Sequence, residues 1–154
     1  MLKKTYFLRK MTEQDLDELM IIENESFTLP WSRESYEGEL RNQFANYLVC
    51  DWEGELAAFG GIWVVFEEAH ITNVAVAERF RQRGMGRALM LELEKLAVAQ
   101  RALRILLEVR PSNLPALAMY TNLGYVPISL KERYYADNQE DALVMIKYLY
   151  HSKN

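Results

Sequence analysis

Three groups of residues in this chain have the types and spacing to do chemistry. The first is a glycine turn, Arg81-Gln82-Arg83-Gly84-Met85-Gly86, followed at once by Arg87. Glycines let a backbone approach a ligand closely, and a helix starting at such a turn offers N–H groups with no internal partner. Those donors and the helix dipole favour an anion, and Arg81, Arg83 and Arg87 add positive charge beside them. No Lys-Ser or Lys-Thr follows Gly86, so the turn is not a P-loop, and its glycine spacing does not fit a dinucleotide fingerprint. An ordinary strand–turn–helix connection with a solvated basic rim would use the same residues.

The second group is Glu108, Asn113 and Tyr120. Glu108 is a carboxylate inside a nearly continuous apolar, strand-like run at 103–109, and belongs to the stretch LEVRPSN at 107–113. Charged residues are rarely buried in such strands unless paired or useful. A salt bridge to Arg110 or Arg104, or exposure near a strand end, would account for it structurally. Asn113 can cap the following helix, and Tyr120 can be helix–sheet packing. The third group is aromatic: Phe27, Pro30 and Trp31 in one loop, Tyr134 and Tyr135 near the end. Two large rings flanking a proline form either a core plug or a pocket wall.

The elements that must position these groups follow from periodicity. Residues 5–9 read as a strand. Thr12 is an N-cap, with Glu13 and Asp15 in the first turn, and Leu16, Leu19, Met20, Glu23 and Phe27 recur at helical spacing. Pro30 ends that helix, and Ser32 caps a second one reaching about Leu40. Residues 45–51 and 56–65 are strands joined by a hairpin turn, and Glu67 and Glu68 turn the chain into a strand over 69–76. The helix after Gly86 carries Leu89, Leu93, Leu96 and Ala97 on one face, with Glu92, Glu94 and Lys95 off it. Residues 103–109 form a central strand, 116–123 a helix stopped by Gly124, and 125–135 and 142–148 the last two strands. Hairpins come first and a strand–helix–strand crossover follows. The fold class is α+β with a mixed sheet, in one domain spanning 1–154.

The glycine turn resembles motif A of the GNAT N-acetyltransferases, the Arg/Gln-x-x-Gly-x-Gly/Ala loop, and the element order is that of the GNAT fold, a mostly antiparallel mixed sheet flanked by helices. LEVRPSN followed by ALAMYTNLGY resembles the RimI-type protein N-terminal acetyltransferases, as do Arg133-Tyr134-Tyr135 with the later Glu-Asp-Ala and the SFTLPW segment at 26–31. This resemblance implies acetyl-CoA as co-substrate, lying along Val74, Ala75 and Val76 and over Arg81, Gln82, Arg83, Gly84, Met85, Gly86 and Arg87, with Asn113 on its arm. It implies Glu108 as general base and Tyr120 as proton donor to the leaving thiolate. Phe27, Pro30, Trp31, Tyr134 and Tyr135 would surround the substrate, the N-terminal alanine of a small-subunit ribosomal protein. Glu132-Arg133 departs from the Arg-Lys or Arg-Asn of many relatives.

An α-amine suits this equipment. Deprotonation at pH 7 costs roughly 1 kcal/mol for an α-amine near pKa 7.8, against about 4.6 kcal/mol for a lysine near 10.4. One carboxylate suffices for the first. A backbone N–H near Val74, Ala75 or Val76 would meet the charge on the thioester oxygen.

The bulk properties agree. The 154 residues suit one compact core, and a net charge of -4 argues against nucleic-acid binding. The single cysteine, Cys50, sits in an apolar run and reads as a small buried hydrophobe, and two histidines and one cysteine make no metal cluster. No apolar run spans a membrane, and the N-terminal segment lacks a signal-peptide core, so a cytoplasmic location is expected. The rival readings are a GNAT enzyme acting on a small amine or a lysine side chain, and a non-catalytic acetyl-CoA-binding module.

Overall fold

The computed structural model describes residues 5–149. A seven-stranded sheet runs in the order β1-β2-β3-β4-β5-β7-β6. Its strands are β1 (Tyr6–Lys10), β2 (Ala45–Trp52), β3 (Glu55–Val65), β4 (Glu68–Val76), β5 (Arg104–Val109), β6 (Val126–Lys131) and β7 (Ala142–Tyr148). The helices are α1 (Leu16–Ser26), α2 (Arg33–Arg41), α3 (Met85–Ala99) and α4 (Leu114–Asn122). All pairings are antiparallel except β4–β5, as the α+β reading expects. None of the described helices is long and apolar enough to cross a membrane.

Local chemistry sets most boundaries. The β2–β3 turn has positive φ at both Glu53 (51°) and Gly54 (91°), the primed geometry that matches strand twist. Ser32 caps α2 through the Ser35 N–H. The β3–β4 turn falls on Phe66 and Glu67, one residue earlier than expected, with Phe66 at φ 56°.

Two consecutive glycines show how the layers stack. A Cβ at Gly60 would meet Leu93 of α3, whereas one at Gly61 would run into the Tyr47 ring and lie 2.7 Å from Thr72 Oγ1. Successive strand residues point to opposite faces. So α3 covers one face, and Tyr47, α1 and α2 cover the other. Between them lies a core that includes Leu16, Leu19, Phe59, Ile62, Leu89, Leu93, Ile105 and Leu107. Cys50 is fully buried in it, and burial pushes its thiol up to about 12, which suits a structural residue.

The structure corrects three expectations. Residues 125–135 are not one strand: β6 ends at Lys131, because its partner β7 begins at Ala142, and Arg133 turns at φ 50°. Glu94 is buried on α3 rather than turned to solvent, because Tyr125 Oη donates to it at 2.9 Å and Lys147 Nζ at 2.9 Å. Leu103 lies outside β5 and is exposed; its N–H donates to the Glu67 carbonyl.

The buried carboxylates on the α1–α2 face form a polar chain. Glu23 of α1 accepts from Tyr36 Oη at 2.5 Å and from the Trp31 N–H at 2.8 Å, and Asn73 Nδ2 donates to Tyr36 Oη. Tyr47 Oη lies 3.0 Å from Thr72 Oγ1 and donates to Glu39 at 2.7 Å, and Trp63 Nε1 donates to the same Glu39 oxygen at 2.7 Å. Burial raises the Glu23 carboxyl, and burial likewise drives the Tyr36 and Tyr47 phenols upward. Gly61 is the close approach that lets Tyr47 cross β3 to reach Thr72. Gly61→Ala should therefore destabilise the fold by about 3 kcal/mol through overpacking and lost buried hydrogen bonds. Gly38→Ala, inside α2 with open space at its Cβ, should stabilise it by about 0.5–1 kcal/mol. Chemical denaturation of the two variants checks both signs.

Candidate active site

The site forms where β4 and β5 part. Their parallel pairing holds three residue pairs, Glu68 with Arg104, Ala69 with Ile105 and His70 with Leu106. Beyond His70 the two strands diverge. On its other edge β4 stays bonded to β3 as far as Val76, with an irregularity at Thr72 opposite Gly61 and Ile62. The result is a cleft through the sheet, with one edge of β4 over Thr72, Asn73, Val74, Ala75 and Val76 unpaired by β5.

The glycine turn closes one end. Gly84, at φ 81°, is the N-cap of α3 with no side-chain cap, so the first N–H groups of α3, at Met85, Gly86 and Arg87, face outward from the helix start. Nothing lies within 4 Å of where a Gly84 Cβ would be. A Cβ built on Gly86 would sit at ordinary contact distance, 3.5 Å from Met119 of α4 and 3.8 Å from Val76. Met119 of α4 thus lies beside Gly86 and Val76, which puts Tyr120, the next residue, near the end of β4. Gln82 turns at φ 63° and is exposed, as is Arg87. Met85 buries its side chain in the core, so only its backbone faces the turn. Arg81 Nε donates to the Val76 carbonyl at 3.1 Å. Arg83 lies over the rings of Trp52 and Phe80, 5.2 and 5.6 Å from their centroids, so it packs on an aromatic ledge.

Glu108 occupies the other wall. Its side chain is 11% exposed, and its partner is neither Arg110 nor Arg104 but His70, whose Nε2 lies 2.9 Å from both carboxylate oxygens. Arg104 is held by Glu68, and Arg110 by Asp137 and Glu140. Lys131 Nζ stands 3.9 Å from Glu108. Burial raises the Glu108 carboxyl, but the His70 hydrogen bond, with the His70 and Lys131 charges, outweighs it, and the group is held below its ordinary value. Tyr120 is buried, stacked edge-on to Tyr125 at 6.0 Å, and burial followed by the nearby Tyr135 pushes its phenol up to about 12. It stays protonated at neutral pH and so has a proton to give. Asn113 caps α4, its Oδ1 accepting from the Ala116 N–H at 3.3 Å.

The aromatic residues flank the cleft. Trp31 is half-buried against Tyr36 at 5.4 Å, and Phe27 also packs on the core, so both are plug and rim; Pro30 is exposed. Tyr134 and Tyr135 stack edge-on at 5.0 Å, with Arg110 3.8 Å above the Tyr135 ring. The two loops are joined, because Thr28 Oγ1 donates to Asp137 at 2.5 Å and Asp137 holds Arg110 at 2.8 Å. A cavity of about 340 Å³ adjoins this side, lined by Trp31, Ser35, Gly38, Glu39 and Trp63.

Sequence reasoning missed His70, Trp63, Glu39, Thr28 and Asp137. Only His70 carried a cue: β4 and β5 flank the same crossover, so residues near their shared start are neighbours.

Comparison with known proteins agrees with this architecture. Residues 16–125 match the acetyltransferase (GNAT) family. A Bacillus subtilis (strain 168) protein provisionally named a ribosomal protein bS18-alanine N-acetyltransferase is 41% identical over 139 residues, covering 90% of this chain and 92% of its own. The Escherichia coli (strain K12) ribosomal protein bS18-alanine N-acetyltransferase is 35% identical, covering 85% and 89%. A crystal structure of the ribosomal-protein-S18-alanine N-acetyltransferase from Escherichia coli superimposes with a TM-score of 0.87 at 28% identity, covering 97% of each chain. With the splayed strand pair, the glycine turn and the flanking loops in place, the chain belongs to the GNAT family of N-acetyltransferases and is of the RimI type.

Proposed function

We propose that this enzyme moves an acetyl group from acetyl-CoA to the N-terminal α-amine of a protein, an alanine at the start of a small-subunit ribosomal protein, in the cytoplasm. The observation that carries the reading is the placement of Glu108. It stands on the α1–α2 face of the cleft, while the α3 turn and Val76 belong to the opposite face. An amine entering from one side can reach a thioester entering from the other only through this opening.

Acetyl-CoA, when bound, supplies a thioester carbonyl open to direct attack. The open space at Gly84 and the outward N–H groups of Met85, Gly86 and Arg87 fit its pyrophosphate. The free edge of Val74, Ala75 and Val76 would hold its arm and give an N–H to the carbonyl oxygen. Glu108 takes the proton from the substrate ammonium. The neutral nitrogen forms the new C–N bond as the C–S bond breaks, and Tyr120 gives its proton to the sulfur. The second proton shed by the acylated nitrogen restores the Tyr120 phenol, and Glu108 releases its proton to solvent. Phe27 and Trp31 on one loop and Tyr134 and Tyr135 on the other narrow the room for the first side chain, which favours alanine over bulky residues. A peptide beginning with alanine, its amine partly neutral at pH 7, places little demand on a carboxylate base.

Two measurements test this reading. Gly84→Val forces a β-branched residue to φ 81°, and calorimetric affinity for acetyl-CoA should fall about 10-fold or more; unchanged affinity would move the cofactor elsewhere. Glu108→Gln should lower turnover on an alanine-initiated peptide by about 100-fold, with acetyl-CoA affinity kept, and Tyr120→Phe should slow transfer in the same way. Full turnover in Glu108→Gln would make Glu108 structural.

A further inference from the structure

The His70–Glu108 contact is more than a stray ion pair. His70 is the last β4 residue paired with β5, opposite Leu106, and Glu108 lies two residues further along β5 on the same face. The imidazole therefore reaches forward from the point of divergence into the cleft. Its Nε2 is equidistant, at 2.9 Å, from both oxygens of Glu108, the geometry of one N–H shared between them. This fixes the carboxylate against rotation. His70 is itself backed by Trp63, with ring centroids 6.3 Å apart, and the Trp63 N–H is anchored on Glu39 of α2 at 2.7 Å. A line of contacts thus runs from α2 across β3 and β4 to Glu108.

The choice of histidine has a chemical consequence. A carboxylate base needs to be held, but a permanent cation in direct contact makes it a weaker base. Two arginines flank Glu108 in sequence, and both are drawn away, Arg104 to Glu68 and Arg110 to Asp137 and Glu140. The cation left near Glu108 is Lys131, at 3.9 Å, and the other titratable neighbour is the Tyr135 phenol. An imidazole supplies the hydrogen bond through Nε2–H without being a permanent cation.

We propose that His70 is the positioning residue of this enzyme, orienting the Glu108 carboxylate for the incoming amine by a shared Nε2–H. The inference rests on Glu108 being the base. Removing the imidazole leaves Glu108 with its burial and without its main hydrogen bond, so the carboxyl must rise and the ionised base is lost at a higher pH. The test measures kcat against pH with an alanine-initiated peptide for His70→Leu and His70→Gln, beside Glu108→Gln. For His70→Leu, kcat should drop about 10-fold and its acid limb should move to higher pH, while peptide KM and acetyl-CoA affinity stay within about 2-fold. His70→Gln, which keeps an N–H donor, should recover kcat to within about 3-fold of the parent enzyme. In the Glu108→Gln background, His70→Leu should cost nothing further. A His70→Leu enzyme with parental kcat and acid limb, beside an inactive Glu108→Gln, overturns the role of His70 and leaves the base assignment intact. Equal losses in His70→Leu and His70→Gln accompanied by lost acetyl-CoA affinity make His70 a folding residue and also overturn it. An active Glu108→Gln overturns the base assignment and this inference with it.

Discussion

The candidate site depends on β4 and β5 parting after three residue pairs. Parallel strands gain free energy by continuing to pair, so divergence has to be enforced. Two features enforce it here. The irregularity at Thr72 adds a residue to β4 against β3, which increases local twist and bends the strand. The buried polar chain then fixes the bent strand from behind: Asn73 donates to Tyr36 Oη, which donates to Glu23, and Thr72 meets Tyr47, which donates to Glu39. Polar groups buried this deeply are stabilising only when satisfied, so the network specifies one conformation of β4.

The electrostatics follow the same division of labour. Carboxylates outnumber cations in the chain, 22 to 18, yet the cations near the cleft are sorted by partner. Arg110 spends its charge on Asp137 and Glu140 and its flat face on Tyr135, tying the β6–β7 loop to the end of β5. Thr28 extends that tie to the α1–α2 loop. The loops that flank the cleft are thus fastened to each other and to the strand that carries Glu108, at positions where loops are ordinarily mobile.

Local chemistry made most of the fold legible in the sequence. Glycine at 54, 84 and 124, proline at 30 and the apolar periodicity of α1 and α3 announce turns, stops and faces, and Glu23 already fell on the inward stripe of α1. Legibility ended where an outcome depends on a partner distant in sequence. The run over 125–135 has strand composition throughout, but its length is set by where β7 starts. Glu94 reads as solvent-facing until Tyr125 and Lys147 arrive beside it. For Glu108 the sequence offered Arg110 and Arg104 as neighbours, and the fold supplied His70 from 38 residues away. Asn113 is the converse case, since its cap on α4 follows from sequence position alone.

The central claim of the proposed function is that the cleft presents an α-amine, not a lysine side chain, to the Glu108 carboxylate. The most direct measurement uses a peptide beginning with alanine and carrying one internal lysine, incubated with the enzyme and acetyl-CoA, with the acetyl group located by fragmentation mass spectrometry. The account predicts acetyl on the terminal nitrogen, lost when alanine is replaced by a bulky first residue. Acetyl on the lysine, with the free α-amine untouched, would contradict it.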